Sequence, residues 1–335
     1  ERNAIKNYSE ITVVSYNDNE FKTHFRISKE LMNSLTERFT ESHIFLQHFH
    51  TKGKDVVEPK KHLEIFLWYV GHSCTYVDVG DRFNITVSTL FEIISRMNAF
   101  FDEMAAEVIK WPSQQEIQQT SSEVFRRTRF PGVVGFIDGT HIKIDKPTKH
   151  QESYCNRKHY HSIQVQIICD DKCKLIDVFI GYPGSVHDAR VFSSSFIYPQ
   201  LSELCQDGHL LGDSAYPCLD FCLTPYKDNG HLNRMQTRYN KVHSSLRIKV
   251  EHANGILKQR FRQLYHVKLR KIERVVALVK SCCVLHNLCQ IQDKLLFDCE
   301  HNPLDITAIE DENVAVADTN MTFEARSGAA KRNYI

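Results

Sequence analysis

Hydrophobic residues in the first hundred positions recur at helical spacing, and the short alternating runs typical of strands are missing from this part of the sequence. Leu31, Leu35 and Phe39 follow one another at intervals of four. A second series with the same period lies within residues 63–70. Such spacing is typical of one buried helix face. The pattern predicts an all-α module over residues 1–110.

After Pro131 the pattern changes to apolar runs of strand length. These runs cover residues 133–137, 163–169, 175–180 and 209–212. Asp170, Asp171 and Lys172 separate the second run from the third, which predicts a hairpin. Beyond Arg238 the spacing is helical again. Strands followed by helices predict an α/β or α+β domain over residues 131–293. The Gln-rich and Ser-rich segment 111–130 is interpreted as a connector.

Residues 61–100 have the proportions of a helix-turn-helix. One short apolar helix face is predicted at 76–83, and a second helix begins after a turn of two or three residues. The first residues of such a second helix meet base edges in the major groove, so Ser88 and Thr89 are candidate DNA contacts. That helix has no Lys or Arg before Arg96. Phosphate contacts must then come from elsewhere, and a helical bundle that only packs on the next domain is the alternative.

Composition and charge narrow the class of protein. With 42% hydrophobic and 25% charged residues, the chain is an ordinary globular protein. No apolar run reaches the roughly 18 residues of a membrane span. Eleven cysteines in a chain of 335 residues predict reduced thiols of an intracellular protein rather than a disulfide framework.

The net charge of +1 hides two oppositely charged segments. Residues 241–280 contain eleven Lys and Arg against two Glu, whereas residues 293–326 contain nine Asp and Glu against two basic residues. The first segment predicts a surface that faces a polyanion. The second predicts an acidic, disordered tail over residues 294–335.

Two aspartates follow predicted strands directly. Asp138 follows the run 133–137 and precedes Gly139, and Asp213 follows Leu211 and Gly212. A carboxylate at the end of a buried strand, beside a glycine that lets a ligand approach the backbone, is an arrangement found in metal sites. A turn or capping residue is the ordinary alternative for either position taken alone.

Glu251 lies on the flank of a predicted helix. The buried stripe of that helix is formed by Leu246, Val250, Ala253, Leu257, Phe261 and Leu264. Glu251 is rotated by about 100° from Val250. Together with Asn254, Gly255 and Lys258 it forms a polar face that can look into a cleft above the sheet. Alone, Glu251 would be an ordinary solvated residue.

Taken together, the three carboxylates favour a site for a hard divalent cation, Mg²⁺ or Mn²⁺. Zinc is the competing metal, because Cys169/Cys173 and Cys218/Cys222 are each separated by three residues. Neither pair has a matching second pair at a suitable distance. These cysteines are therefore interpreted as small buried hydrophobic residues.

Several motifs in one order resemble the DDE transposases of the PIF/Harbinger superfamily and the nucleases derived from them. The motifs, spread over residues 131–290, are Asp138-Gly139-Thr140-His141-Ile142, Asn156-Arg157-Lys158, Pro183-Gly184-Ser185-Val186-His187-Asp188, Leu211-Gly212-Asp213-Ser214, Val250-Glu251-His252 and Leu285-His286-Asn287. The resemblance implies an RNase H-like catalytic domain, with a mixed central sheet flanked by helices. Its acidic triad would be Asp138, Asp213 and Glu251, separated by 75 and 38 residues.

The resemblance also implies phosphodiester cleavage assisted by two divalent cations, with Asp138 bridging both ions. Members of this superfamily carry a helical module before the catalytic domain, and the elements usually encode a Myb-like partner for DNA recognition and nuclear import. The expected protein is therefore a nuclear DNA endonuclease or transposase that acts on transposon ends or derived sites. A homo-oligomer is compatible with this interpretation. The alternative is a catalytically silent, domesticated DNA-binding or scaffold protein.

Other polar residues are candidates for supporting roles. His187 and Asp188 are candidates for orienting a metal ligand, although Asp188 as a cap of the helix near Ala189 is an equal alternative. Arg157 and Lys158 are candidate phosphate contacts or part of an ordinary exposed loop. A basic track on DNA is predicted beside Glu251, with a solvated helix face as its alternative; its members include Arg247, Lys258 and Arg262.

Overall fold

The computed structural model of the chain describes residues 4–47, 56–292 and 328–335. Helices occupy the region for which helical spacing predicts them. A π-helix at Tyr8–Val13 is followed by α1 (Asp18–Phe25), α2 (Lys29–Glu41), α3 (His43–Leu46), α4 (Pro59–Gly71), α5 (Tyr76–Phe83), α6 (Val87–Val108) and α7 (Gln114–Thr128). In α2 the predicted residues Leu31, Leu35 and Phe39 are buried.

The turn between α5 and α6 is built by capping residues. Thr75 begins α5 with a reciprocal capping box to Asp78. Asn84 ends that helix in the left-handed region at φ 51°, where Asn is tolerated better than most residues. Thr86 caps α6 by accepting from the amide of Thr89. The two helices lie where the sequence predicts them, while a role in DNA binding stays a prediction.

The expected connector contains a helix instead. α7 begins with a capping box between Ser113 and Glu116 and ends at Arg129 in the left-handed region. Among its residues only Val124 is buried. Gln and Glu are good helix formers, so a polar segment with a strong N-cap becomes a surface helix.

In the described part of the chain, five strands form one mixed sheet in the order β3-β2-β1-β4-β5. They are β1 (Val133–Lys143), β2 (Ser162–Cys169), β3 (Leu175–Pro183), β4 (His209–Leu211) and β5 (Cys222–Leu223). β1, β2 and β3 are antiparallel neighbours, which confirms the predicted hairpin, whereas β4 and β5 run parallel to β1. This mixed α/β arrangement is consistent with an RNase H-like fold.

Helices cover both faces of the sheet. The intervening and following helices are α8 (Gln151–Tyr154), α9 (Asp188–Ser193), α10 (Leu201–Cys205), α11 (Arg234–Arg260) and α12 (Ile272–Gln292). α11 and α12 pack on the face of Phe136 and Val165, in a core that is continuous with the N-terminal helices. α9 and α10 pack on the opposite face, against Ile137 and Ile168.

Asn287 connects the N-terminal helices to the sheet. Its side-chain amide donates to the carbonyl oxygens of Val108 (3.1 Å) and Leu175 (2.7 Å), and its Oδ1 accepts from the Leu175 amide at 2.8 Å. All of these groups are buried. Buried backbone groups need such partners, so the Leu285-His286-Asn287 motif has a structural role at this junction.

The end of the chain differs from the expected disordered tail. Most of that tail, residues 294–327, lies outside the described residues. Residues Gly328–Tyr334 form α13 beside β5. There Lys331 Nζ donates to three carbonyl oxygens, those of Asp207, Gly208 and Asp220, at 2.8–2.9 Å. Lys331 therefore fastens α13 to the backbone around β4 and β5. Within the described ranges we find no helix of the length and apolar character needed to cross a membrane.

Candidate active site

Asp138 lies in the middle of β1 and not at its end. The sequence predicts a strand that stops at Ile137, but pairing with β2 continues to Lys143. Only the pairing with the parallel strand β4 stops early, at Phe136 opposite Leu211. Asp138 therefore has a strand neighbour on one side and an opening on the other.

The register explains why Asp213 lies beside this opening. Asp138 is two residues beyond Phe136, and Asp213 is two residues beyond Leu211, the partner of Phe136 in the parallel pair. Parallel strands advance together, so the two carboxylates reach the same level of the sheet. Asp213 is held in a turn because its Oδ1 accepts from the amide of Ala215 at 2.8 Å.

Helix α11 brings a polar face over Asp138. Asn254 Nδ2 donates to Asp138 Oδ2 at 3.0 Å, and Arg247 Nη2 donates to Asp138 Oδ1 at 3.1 Å. Glu251 lies between these two residues on the same face, with its Oε1 3.7 Å from Arg247 Nη1. The predicted apolar stripe faces the other way, with Val250 fully buried.

Lys258 continues this face one turn further along α11. Its Nζ donates to Thr140 Oγ1 at 2.6 Å and to the carbonyl oxygen of His141 at 3.0 Å. Burial lowers the pKa of Lys258 to about 8, although the charge of Asp138 opposes that shift. The lysine thus fixes β1 against α11 immediately beyond Asp138.

A fourth carboxylate, Asp188, reaches the site from the opposite face of β1. A Cβ atom on Gly139 would lie 2.6 Å from Asp188 Oδ1, so the glycine makes room for this side chain. Gln164 Nε2 orients it by donating to the same oxygen at 2.8 Å. The sequence suggested that Gly139 lets a ligand approach, whereas the space is used by Asp188. His187 is the N-cap residue of α9 but forms no capping hydrogen bond with its side chain.

Burial and neighbouring charges act on two carboxylates of this group, Asp138 and Asp188. Burial raises the pKa of Asp138 to about 6; Arg247 opposes the shift, and Asp213, Glu251 and Asp188 add to it. Burial also raises the pKa of Asp188, and Asp213 contributes in the same direction. Carboxylates whose ionisation is disfavoured by burial and by neighbouring negative charge are a common feature of functional sites and favour a bound cation.

The donor set fits a hard divalent cation, although the side chains are not arranged around one. All four acidic groups offer oxygen ligands, as Mg²⁺ and Mn²⁺ prefer. In the part of the chain that the structure describes, no three His, Cys, Asp or Glu residues are placed to enclose a metal ion. Arg247 instead spans Asp138 and Glu251 and balances part of their charge.

The candidate DNA contacts fall into two groups. Arg247 and Lys258 were expected on a phosphate track, but both are largely buried and bond to β1. Arg157, Lys158 and Arg262 are exposed. Arg157 lies close enough to Asp188 to oppose the upward shift of its pKa. On α6, far along the sequence from this group, Ser88 is exposed and Thr89 bonds to the Thr86 hydroxyl.

Gln164 is not among the residues that the sequence predicts for this site, and Arg247 is predicted there as a DNA contact and not as a partner of the acidic residues. Gln164 is a polar residue inside a fully buried strand, which is a signal of a bonded partner. Arg247 precedes Glu251 by four residues on one helix face, so its pairing there could have been predicted. Its second contact, with Asp138, depends on the packing of α11 on β1.

Comparisons with known proteins agree with these motifs. Residues 137–287 match the model of the DDE superfamily endonuclease family. The protein named "Putative nuclease HARBI1" is 28% identical in Rattus norvegicus and 27% in Homo sapiens over 245 residues, covering 71% of this chain and 69% of each relative. An Arabidopsis thaliana protein, "Protein ALP1-like", is 28% identical over 238 residues, covering 66% of this chain and 58% of that protein. No solved structure matches the chain significantly.

Proposed function

We propose, from the premise that residues 137–287 are a DDE superfamily endonuclease domain homologous to the HARBI1 and ALP1-like proteins, that the chain cuts DNA phosphodiester bonds. That homology confirms the resemblance to PIF/Harbinger proteins. The finer proposal is a DDE endonuclease or transposase that requires Mg²⁺ or Mn²⁺. Strand joining would be the same displacement with a DNA 3′-hydroxyl in place of water.

The observation that carries this proposal is the convergence of carboxylates on Asp138. Its pKa is raised by burial, and the charges of Asp213, Glu251 and Asp188 add to that effect. A fold gains no stability from carboxylates that repel one another at a partly buried position. Such an arrangement is expected where a cation is bound during function.

Asp138, Asp213 and Glu251 would hold the divalent cations. When bound, two such ions stabilise the attacking and leaving oxygens of an in-line displacement at phosphorus. The neighbouring residues keep these carboxylates in place. Asn254 fixes one oxygen of Asp138, and Lys258 holds the strand beyond it. Glu251, whose side chain is 58% exposed, has the freedom to change its contact with Arg247.

Nicking of supercoiled plasmid tests the proposal. The wild-type chain should nick with Mg²⁺ or Mn²⁺ and not with EDTA, and Asp138→Asn should remove the activity. Asp177→Asn is the matched control, because burial also raises the pKa of Asp177 to about 6 on the same sheet. Nicking that survives in Asp138→Asn, or that is lost equally in Asp177→Asn, would contradict the assignment.

A catalytically silent DNA-binding or scaffold protein is the second candidate. The placement of Arg247 across Asp138 and Glu251 favours it, since the guanidinium already balances part of the acidic charge. Calorimetry with Mn²⁺ separates the two functions. Absence of both metal binding and nicking would support the silent protein, whereas metal binding lost in Asp138→Asn would support the enzyme.

The proposed setting is the nucleus, with DNA as substrate and a Myb-like protein as partner. Support comes from the start of α6, where no basic residue accompanies Ser88 and Thr89. A helix with so little positive charge needs help to hold the DNA backbone. A pull-down with the Myb-like candidate, repeated with Ser88→Glu, tests whether the α5–α6 region supports that contact. If the Ser88→Glu variant captures the Myb-like protein as well as the wild type does, the start of α6 does not contribute to that contact.

A further inference from the structure

Three arginines gather where α4 ends. Arg26 follows α1, Arg82 lies in α5, and Arg262 begins a 3₁₀ helix after α11. Among the described residues, none of the three has a carboxylate within ion-pair distance. By contrast, Arg38 in the same helical region is paired with Glu107. We call Arg26, Arg82 and Arg262 the arginine group.

Arg26 is the most confined member. Its side chain crosses Gly71, where an added Cβ would lie 3.1 Å from the Arg26 Cγ. Its Nε is buried and has no hydrogen-bond partner in the described chain. Burial lowers the pKa of Arg26, and the charge of Arg262 lowers it further. Two like charges held together, with one donor unused, are costly unless an anion joins them.

A column of aromatic rings holds the second arginine. Tyr16, His24, Trp68 and His72 stack in sequence, with successive ring centroids 4.7, 5.5 and 4.2 Å apart and nearly parallel planes. The Arg82 guanidinium lies 4.2 Å from the Trp68 ring centroid, a cation–π distance. Burial lowers the pKa of both histidines, and Arg26 and Arg82 add to that effect.

The nearby carboxylate of Glu20 is already engaged. Glu20 is the carboxylate that acts on His24, and its Oε2 accepts from the Asn17 amide at 2.9 Å in a capping box. Attraction to the carbonyl end of α4 is the structural alternative. A helix end carries about half an elementary charge, however, which does not balance three guanidinium groups.

The arginine group is also placed along the path from the acidic site. Helix α11, which reaches Asp138 through Asn254, ends at Arg260, about 9 Å further along the helix axis. Arg262 follows directly. Successive phosphates on one DNA strand advance by about 3.4 Å along the duplex. A duplex that crosses the acidic site and runs along α11 would therefore present a phosphate near the end of that helix, where Arg262 lies, within a few base pairs.

We propose that Arg26, Arg82 and Arg262 form a phosphate-binding site for the backbone of DNA, outside the acidic site. The proposal rests on the function proposed above and adds a contact that lies apart from the α6 helix. Its ligand chemistry is a phosphodiester, which guanidinium groups bind through several N–H donors.

The test measures DNA affinity against salt. Fluorescence anisotropy of a labelled duplex would be recorded in EDTA with Asp138→Asn as the non-cutting parent. Adding Arg26→Gln or Arg262→Gln should weaken binding and reduce the slope of log affinity against log salt by about 0.9 for each lost phosphate contact. Arg26→Lys, which keeps the charge, should retain most of the slope.

Arg38→Gln is the matched control, because that arginine is paired with Glu107. A slope for Arg262→Gln equal to that of Arg38→Gln would overturn the site, as would a parent that does not bind duplex. Arg262 is exposed, so Arg262→Gln should fold normally. Its salt dependence therefore tests the site even if Arg26→Gln fails to fold.

The two proposals can fail separately. If the chain nicks plasmid but the salt dependence of its DNA affinity does not change in the arginine variants, the nuclease proposal stands and the arginine site is wrong. If the arginine variants reduce the salt dependence of DNA affinity but the chain does not nick plasmid with any metal, the arginine site stands and the nuclease proposal is wrong.

Discussion

Asp138 on β1 and Asp177 on β3 are two aspartates of one sheet with very different surroundings. Burial raises the pKa of each to about 6. Around Asp138, three other carboxylates and Arg247 also act on that pKa. For Asp177, burial alone raises the pKa, and a backbone hydrogen bond at Val178 opposes the shift. A raised pKa alone therefore does not mark a site; the convergence of several charged groups does.

Replacing residues near Asp138 should reduce nicking activity far more than replacing Asp177. Asp213→Asn and Glu251→Gln should each reduce metal-dependent nicking by about 100-fold or more, as loss of one charge-stabilising group commonly does. Asp177→Asn should leave the nicking rate unchanged. The measurement is the initial rate of plasmid nicking with Mn²⁺. Activity retained in Asp213→Asn would place the centre elsewhere.

Removing the guanidinium next to Asp138 should change stability. Arg247→Met leaves a partly buried carboxylate without its charged donor, so the free energy of unfolding at pH 8 should fall by about 2 kcal/mol. Arg247 lowers the pKa of Asp138, so its loss raises that pKa and the deficit should shrink near pH 5, where the carboxyl is protonated.

Urea denaturation at the two pH values measures this deficit. The control is Arg126→Met, whose solvent-exposed pair with Glu123 is expected to contribute little to stability. Equal losses in the two variants would mean that Arg247 does not stabilise Asp138.

Replacing Asp177, which has no charged neighbours in the described chain acting on its pKa, should have the opposite effect on the free energy of unfolding at pH 8. The pKa of Asp177 is raised in the folded chain from 3.8 to about 6, so its contribution to stability is present below pH 4 and is lost as pH rises through about 6. Asp177→Asn should therefore be more stable than wild type at pH 8, by at most about 3 kcal/mol, and its stability should depend less on pH between 4 and 6. Thermal unfolding across that range measures the effect, and a destabilised variant at pH 8 would contradict it.

The sequence predicts much of this site because the signals are local. The apolar runs locate the strands that carry Asp138 and Asp213, and the stripe through Val250 and Leu257 orients Glu251 on α11. The strand end at Ile137 was wrong because the apolar run stops where β1 becomes partly exposed, while its pairing with β2 continues.

Contacts between distant segments could not be predicted in this way. Asp188 meets Gln164 and Gly139 only because α9 packs on the sheet, and its place as the first residue of α9 gives no sign of that contact. The segment 111–130 was interpreted as a connector from its composition. The capping box of Ser113 and Glu116 is the local signal that this segment begins a helix, α7, despite its polar composition.

Two buried glutamines of β2 should differ by a small amount in their contribution to stability. Gln164 and Gln166 lie two residues apart on one face and are equally buried. Gln164 donates to Asp188, whereas neither amide atom of Gln166 has a partner in the described chain. Gln164→Leu should lower the free energy of unfolding by about 1 kcal/mol, since a charged acceptor loses its donor. It should also raise the pKa of Asp188, because this hydrogen bond lowers it.

Gln166→Leu should be neutral or stabilising, because a buried amide without partners costs free energy that an apolar side chain does not. Urea denaturation of both variants and carboxyl NMR of Asp188 are the measurements. Equal destabilisation by the two substitutions would mean that packing of the side chains, and not the bond to Asp188, determines the effect. A larger loss for Gln164→Leu would instead tie the polar interior of β2 to the acidic group around Asp138.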